Sequence, residues 1–136
     1  YYHPDNSNLS RVLLRRLGNP ISLASVFILM SKRLGFEVGG CNYPAHFLAR
    51  ARCDIDGQLY LIDCFNEGKV IPAESLIEHH PLSSHEVEEV VEEPASTEII
   101  MARVLKNLDA AFQRTNQPEE QGFMRKLWHG LVDTGF

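Results

Sequence analysis

The sequence has few of the features that mark several large classes of protein. Its three cysteines, Cys41, Cys53 and Cys64, include no Cys-x-x-Cys pair, which argues against a disulfide framework and is typical of a reducing compartment. No apolar run approaches the roughly 20 residues of a membrane-spanning helix, and no signal peptide is visible. With 13 Lys and Arg against 18 Asp and Glu, the chain has no excess of positive charge to attract nucleic acid or an anionic membrane. We therefore predict a cytoplasmic protein that binds neither nucleic acid nor a membrane.

Motifs for bound cofactors are missing as well. The chain contains no glycine-rich phosphate loop and no dinucleotide fingerprint. His79, His80 and His85 lie close together, but no cysteine or carboxylate at ligand spacing accompanies them, so a surface position is favoured over a metal site. We predict no cofactor and no metal.

An apolar helix is the clearest element that the sequence does contain. Asn19 is a good N-cap, and Pro20 suits the first helical position because its missing N–H would be unpaired there anyway. Apolar residues then continue on nearly every side to Leu34, and Gly35 ends the segment. This pattern predicts a helix over 20–34 that is buried centrally. Because the chain of 136 residues begins at Tyr1 and not at methionine, we expect a fragment of a longer protein.

Strand signals follow the helix. Residues 36–41 lead out of it, and the runs 45–53 and 58–65 are joined by a segment that ends in Asp56-Gly57, a strong hairpin signal. A four-residue loop at 54–57 makes the sum of paired residue numbers odd, and that register places His46 and Asp63 on the same face. A shift of one residue would separate them.

The remainder of the chain is predicted to be helical. We expect a short helix over 72–79, a solvated or flexible acidic stretch over 83–93, and two helices over 99–115 and 119–131 joined by an Asn-x-Pro turn. The last two helices form a hairpin of about the size of one tetratricopeptide unit, which cannot cover its apolar face alone. We predict a core over 1–94 and a helical hairpin over 95–136 that packs on it.

Two residues could serve acid–base chemistry, but the attacking group is in question. A nucleophile at a helix N-terminus would take His46 as its base, and Asp63 would orient that imidazole. The helix start contains no cysteine; Ser22 offers the nearest hydroxyl, and Cys41 lies five residues before His46. For Ser22 a local hydrogen bond is the favoured interpretation, and for Cys41 it is packing. Asn66 and Gly68 look like turn formers whose side chain and backbone could bond across the cleft.

Five short motifs together resemble one known family. In chain order they are Tyr2-x-Pro4-x-Asn6-Ser7, Gly18-Asn19-Pro20-Ile21-Ser22-Leu23, Arg33-Leu34-Gly35, Pro44-Ala45-His46-Phe47-Leu48 and Ile62-Asp63-Cys64-Phe65-Asn66. They resemble the transglutaminase-like core of the bacterial Sir B type, the invasion-regulator family, and residues 103–108 resemble the opening of the tetratricopeptide-like helices that follow this core. Related cores occur in some F-box proteins. The resemblance implies an α+β, transglutaminase-like (papain-like) fold: a buried central helix against a small antiparallel sheet, with a C-terminal helical hairpin.

The same resemblance carries functional expectations. His46 and Asp63 fall on the His and Asp of the family's triad, whereas the usual Cys position falls on Pro20, where this family generally has Pro-Ile-Ser. Cys64 stands where the family more often has proline. We therefore expect a non-catalytic domain, a pseudoenzyme, that serves as an interaction or regulatory module for a protein partner. The alternative is a hydrolase or acyltransferase that uses Ser22, or Cys41, with His46 and Asp63.

Overall fold

The computed structural model describes residues 2–79 and 84–133 and confirms the α+β class. A 3₁₀ turn, Pro4–Ser7, precedes helices α1 (Leu9–Arg15) and α2 (Pro20–Arg33). The strands are β1 (Val38–Cys41), β2 (Leu48–Arg52), β3 (Leu59–Asp63) and β4 (Lys69–Pro72). The later helices are α3 (Ala73–His79), α4 (Ser84–Glu92), α5 (Thr97–Arg114) and α6 (Pro118–Asp133). All four strands pair antiparallel in the order β1-β2-β3-β4.

Helix α2 begins where the capping residues predicted. The Asn19 Oδ1 accepts the Ser22 backbone N–H at 3.0 Å, and the Ser22 Oγ accepts the Asn19 backbone N–H at 3.0 Å, which makes a reciprocal capping box. The helix ends at Arg33, before Gly35 at φ +84. The predicted burial holds for one face only: Ile21, Ala24, Ile28 and Ser31 are buried, whereas Leu29 and Met30 are 51% and 57% exposed. A helix packed on one side covers one stripe of its surface, however apolar the other side is.

The β2–β3 hairpin has the predicted odd register. Ala49 pairs with Ile62 and Arg50 with Leu61, and residues 54–57 form the loop. Gly57 adopts φ +71, a left-handed conformation that glycine accepts without steric cost. The prediction of a four-residue loop and an odd register is thus confirmed.

Strand β4 and the packing of α4 complete the sheet region. The sequence did not predict β4, because its turn and strand together occupy only a few residues. One face of the sheet packs against α3 and α4 in a core of Cys41, Leu48, Leu59, Leu61, Ala73, Val87 and Val91. The acidic segment that contains α4 therefore has a buried side, Val87 and Val91, while its glutamates are exposed. Residues four apart lie on the same side of a helix, so Val87 and Val91 form the side of α4 that faces the core.

The C-terminal helices start and end close to their predicted positions. The Ser96 hydroxyl caps α5 by accepting the Ile99 N–H at 3.3 Å, and Asn116 at φ 54 forms the turn before α6. Phe123 and Leu127 on α6 remain 56% and 43% exposed. The helix pair therefore leaves apolar surface uncovered within the described residues, as a single hairpin should.

The described residues divide into two units. Those up to Ser22 and those from Ser96 onward form one unit, and those between Leu23 and Ala95 form the other. The division after Ala95 lies one residue beyond the predicted boundary, while the N-terminal turn and α1 group with the helical hairpin. The packing of the hairpin on the core stays a prediction.

Candidate functional site

His46 and Asp63 form the predicted hydrogen-bonded pair, but His46 lies in the turn before β2 and not in the strand over 45–53 that the sequence predicted. Its backbone N–H donates to the Tyr43 carbonyl oxygen at 3.2 Å, and Ala45 has a φ of 61. The Nε2 of His46 lies 2.7 Å from the Oδ1 of Asp63. Asp63 is the last residue of β3, and His46 reaches it from the turn that precedes β2. The Phe65 ring lies edge-on to the imidazole with centroids 6.0 Å apart. Asp63 is buried and His46 is half-buried, so the pair lies at the border between core and solvent.

The carboxylate of Asp63 is surrounded by donors. Its Oδ1 also accepts the backbone N–H groups of Phe65 and Asn66, each at 3.1 Å, and its Oδ2 accepts the Asn66 side-chain amide at 2.6 Å. Burial alone would raise the pKa of Asp63, but the bonds from Asn66 and His46 outweigh burial and lower it below its ordinary value of 3.8. Asp63 is therefore ionised at neutral pH and acts purely as an acceptor.

This geometry assigns the two nitrogens of the imidazole. Because the ionised Asp63 cannot donate, the proton between the two groups is on His46 Nε2. In the neutral imidazole Nδ1 is then an acceptor. In acyl-transfer triads a carboxylate orients the imidazole base in the same way.

Ser22, the nearest hydroxyl at the start of α2, is bonded within its own helix cap. Its Oγ accepts the Asn19 N–H and lies 3.1 Å from the Asn19 carbonyl oxygen, to which it donates. The side chain is 2% exposed. A hydroxyl that donates to a carbonyl and is shielded from solvent is a capping group.

The cap that uses Ser22 is supported by the N-terminal motif. The Asn19 amide Nδ2 donates to the Ser7 Oγ at 2.9 Å, and the Asn19 backbone N–H approaches the Asn6 carbonyl oxygen at 3.4 Å. Pro20 occupies the first helical position and is buried. The motifs around Asn6 and Asn19 therefore work together to fix the start of α2.

None of the three cysteines forms a disulfide, and their surroundings differ. Cys41 is 0% exposed within the hydrophobic core, with its Sγ 3.5 Å from the Val90 carbonyl oxygen. Burial, followed by the charge of Asp63, raises the pKa of the Cys64 thiol to about 11. Cys53 pairs with Gln58 at the loop end of the hairpin, seven residues along the chain from His46. The burial of Cys41 and the raised pKa of Cys64 are typical of packing residues, since a reactive cysteine needs exposure and a lowered pKa.

The described residues offer no metal site. Among residues 2–79 and 84–133, no group of three or more His, Cys, Asp or Glu side chains is placed to hold a metal ion. The histidine cluster considered from the sequence includes His80, which lies outside the described residues. In the same part of the chain, no single helix has the length and apolarity to span a membrane.

Sequence reasoning identified Asn66 as a turn former but did not predict its bond to the carboxylate. The spacing Asp63-x-x-Asn66 directly after a strand is the available signal, because an aspartate side chain commonly accepts N–H groups two and three residues later. Sequence reasoning also did not predict the contact of Phe65 with His46, because both residues lie in turns where the strand register does not apply.

Comparisons with known proteins give a consistent family assignment. The model of the Transglutaminase-like superfamily matches residues 1–106. The UPF0162 protein of Xylella fastidiosa (strain 9a5c) is 39% identical over 123 residues, which cover 86% of this chain and 43% of that protein. The human F-box only protein 21 is 37% identical over 90 residues, covering 59% of this chain and 14% of that protein. The chain spans less than half the length of these curated relatives, and no solved structure matches it significantly.

Proposed function

The chain belongs to the transglutaminase-like superfamily, and from that premise we propose that it is a non-catalytic member that serves as an interaction or regulatory module. The finer assignment that we propose is the core of the Sir B type with tetratricopeptide-like C-terminal helices. The ordered motifs support the first part, and the pair α5–α6 joined by a turn at Asn116 supports the second.

One observation carries the non-catalytic proposal: the base is assembled, but the candidate nucleophiles serve other purposes. His46 and Asp63 are bonded at 2.7 Å. The Ser22 hydroxyl belongs to the helix cap, and Cys41 lies fully buried in the core. Covalent acyl transfer needs a nucleophile within reach of the base, so an oriented imidazole alone does not supply it.

We propose that this module binds a protein partner. The exposed side chains Phe123 and Leu127 lie four residues apart on α6 and so share one helix face. Apolar side chains at this spacing are the usual anchors when helices associate. A cytoplasmic setting is part of the same proposal and is supported by three cysteines without a disulfide.

The formed His46–Asp63 pair also supports the alternative, a hydrolase or acyltransferase that uses Ser22 or Cys41. A fluorophosphonate probe tests the Ser22 form of this alternative, because it labels only a serine activated by a base, and iodoacetamide tests the Cys41 form. We expect no labelling of the parent above that of its heat-denatured form. Labelling that is lost both in Ser22→Ala and in His46→Ala would establish the enzyme and contradict our proposal.

A further inference from the structure

The Asp63 carboxylate is held at both oxygens by different groups. Oδ1 accepts His46 Nε2 and the backbone N–H groups of Phe65 and Asn66. Oδ2 accepts the Asn66 amide at 2.6 Å, and the described part of the chain offers it no other donor. The Asn66 side chain is therefore the group that holds the Oδ2 oxygen of the carboxylate in place.

We propose that Asn66 is a positioning residue: it fixes the rotation of the Asp63 carboxylate and thereby holds the His46 imidazole in one orientation. The terminal torsion of an aspartate is broad and nearly two-fold, so a carboxylate held at one oxygen can turn. Held at both oxygens, it presents Oδ1 to His46. The ring then keeps Nε2 toward Asp63 and Nδ1 away from it.

The turn after β3 brings Asn66 back toward the carboxylate. The Asp63 carbonyl oxygen accepts the N–H groups of Asn66 at 3.2 Å and Gly68 at 2.9 Å. Glu67 and Gly68 both adopt left-handed conformations, at φ 58 and φ 74. For a residue such as glutamate that conformation is uncommon, so the turn accepts backbone strain in this geometry.

The backbone bonds of this turn do not need an asparagine. The N–H of residue 66 reaches both the carbonyl and the Oδ1 of Asp63, whatever its side chain is. The Asn66 side-chain amide adds only the bond to Oδ2. Its role can therefore be separated from that of the turn by substitution. The inference rests on the site of the proposed function and names the residue that orders it. It concerns only the geometry of His46 and Asp63, so it holds whether these residues contact a partner or take part in catalysis.

The test measures solvent exchange of the His46 Nε2 proton by proton NMR on ¹⁵N-histidine-labelled protein. A proton held between imidazole and carboxylate resonates at low field and exchanges slowly; its signal is assigned by its disappearance in His46→Gln. Asn66→Ala removes the amide. Asn66→Asp keeps the shape but replaces the donor with a second carboxylate. Glu67→Asp is the matched control, since it keeps the charge in the same turn.

We expect exchange about tenfold faster in Asn66→Ala and in Asn66→Asp, the loss that one charge-assisted hydrogen bond would cause, and no change in Glu67→Asp. Exchange in both Asn66 variants equal to that of the parent would overturn the proposal. Loss of the fold in both variants, read by far-UV circular dichroism, would also overturn it, because Asn66 would then do no more than maintain the turn. Fluorophosphonate labelling of the parent tests for catalysis, so its outcome does not change how the exchange rates of the His46 proton are interpreted.

Discussion

Replacing Asp63 by alanine tests the physical basis of the site. The substitution removes the acceptor for His46 Nε2, for the N–H groups of Phe65 and Asn66, and for the Asn66 amide. Hydrogen bonds to a charged group contribute about 1.5–3 kcal/mol each when buried, but their effects are not additive. Asn66 is exposed and His46 half-buried, so water replaces part of what is lost. We expect Asp63→Ala to lower the free energy of unfolding by about 2–3 kcal/mol.

Thermal unfolding followed by circular dichroism measures this effect. In a chain of this size 1 kcal/mol corresponds to roughly 3–5 °C, so the Tm should fall by roughly 6–15 °C. Asp56→Ala is the control, because Asp56 also accepts two hydrogen bonds, from Gln58 and Tyr60, but is exposed; its Tm should change much less. An Asp63→Ala protein that melts within about 2 °C of the parent would refute the argument that the hydrogen-bonded carboxylate of Asp63 stabilises the fold.

The pKa of Asp63 gives the same experiment a pH dependence. Its folded pKa lies below the ordinary value of 3.8, so the unfolded state takes up the proton first as the pH falls. The stabilisation is therefore present above pH 3.8 and is lost as the pH falls from there through the folded pKa. The Tm difference between parent and Asp63→Ala should shrink as the pH falls below 4. A difference that grows between pH 4 and pH 2 would show that the sign is wrong.

Three further predictions concern the rest of the chain. Ser22→Ala removes one half of the capping box and should cost about 1 kcal/mol in denaturant titrations; unchanged stability together with the loss of fluorophosphonate labelling seen in the parent would instead mark a nucleophile. Val87→Ala opens a cavity in the core and should cost about 2 kcal/mol, whereas Glu88→Gln on the exposed side of the same helix should fall within about 0.5 kcal/mol of the parent; equal effects would mean that α4 is not docked. Cys41 should react with iodoacetamide at pH 6 no faster than glutathione does, as read by peptide mass spectrometry; faster alkylation would show an activated thiol.

The parts of the fold that the sequence predicted are those with local causes. Asn19 and Pro20 determine the start of α2 through capping, and Asp56-Gly57 with its loop length determines the hairpin register. The register positions Asp63 at the end of β3, whereas His46 reaches it from the turn before β2, which the sequence predicted as strand. Ser96 and Asn116 mark the C-terminal helix pair in the same way.

The parts that it did not predict depend on contacts between distant segments. Strand β4 is four residues long and has meaning only beside β3, through pairs such as Asp63 with Lys69. The exposure of Leu29 and Met30 depends on what covers α2, which an apolar pattern does not specify. The bond between Asn66 and Asp63 is local, because Asn66 lies three positions after Asp63 in the chain. The sequence could have predicted it if the Asn66 side chain had been considered as a hydrogen-bond donor and not only as a turn former.

The most direct test of the central claim, that the base is present without a working nucleophile, is a pre-steady-state assay with p-nitrophenyl acetate. A covalent acyl-transfer site releases a burst of nitrophenol equal to the enzyme concentration before it turns over. We predict no burst, and a slow release that is the same for the parent and for His46→Ala. A stoichiometric burst in the parent that disappears in His46→Ala would contradict the account and identify an acyl-transfer enzyme.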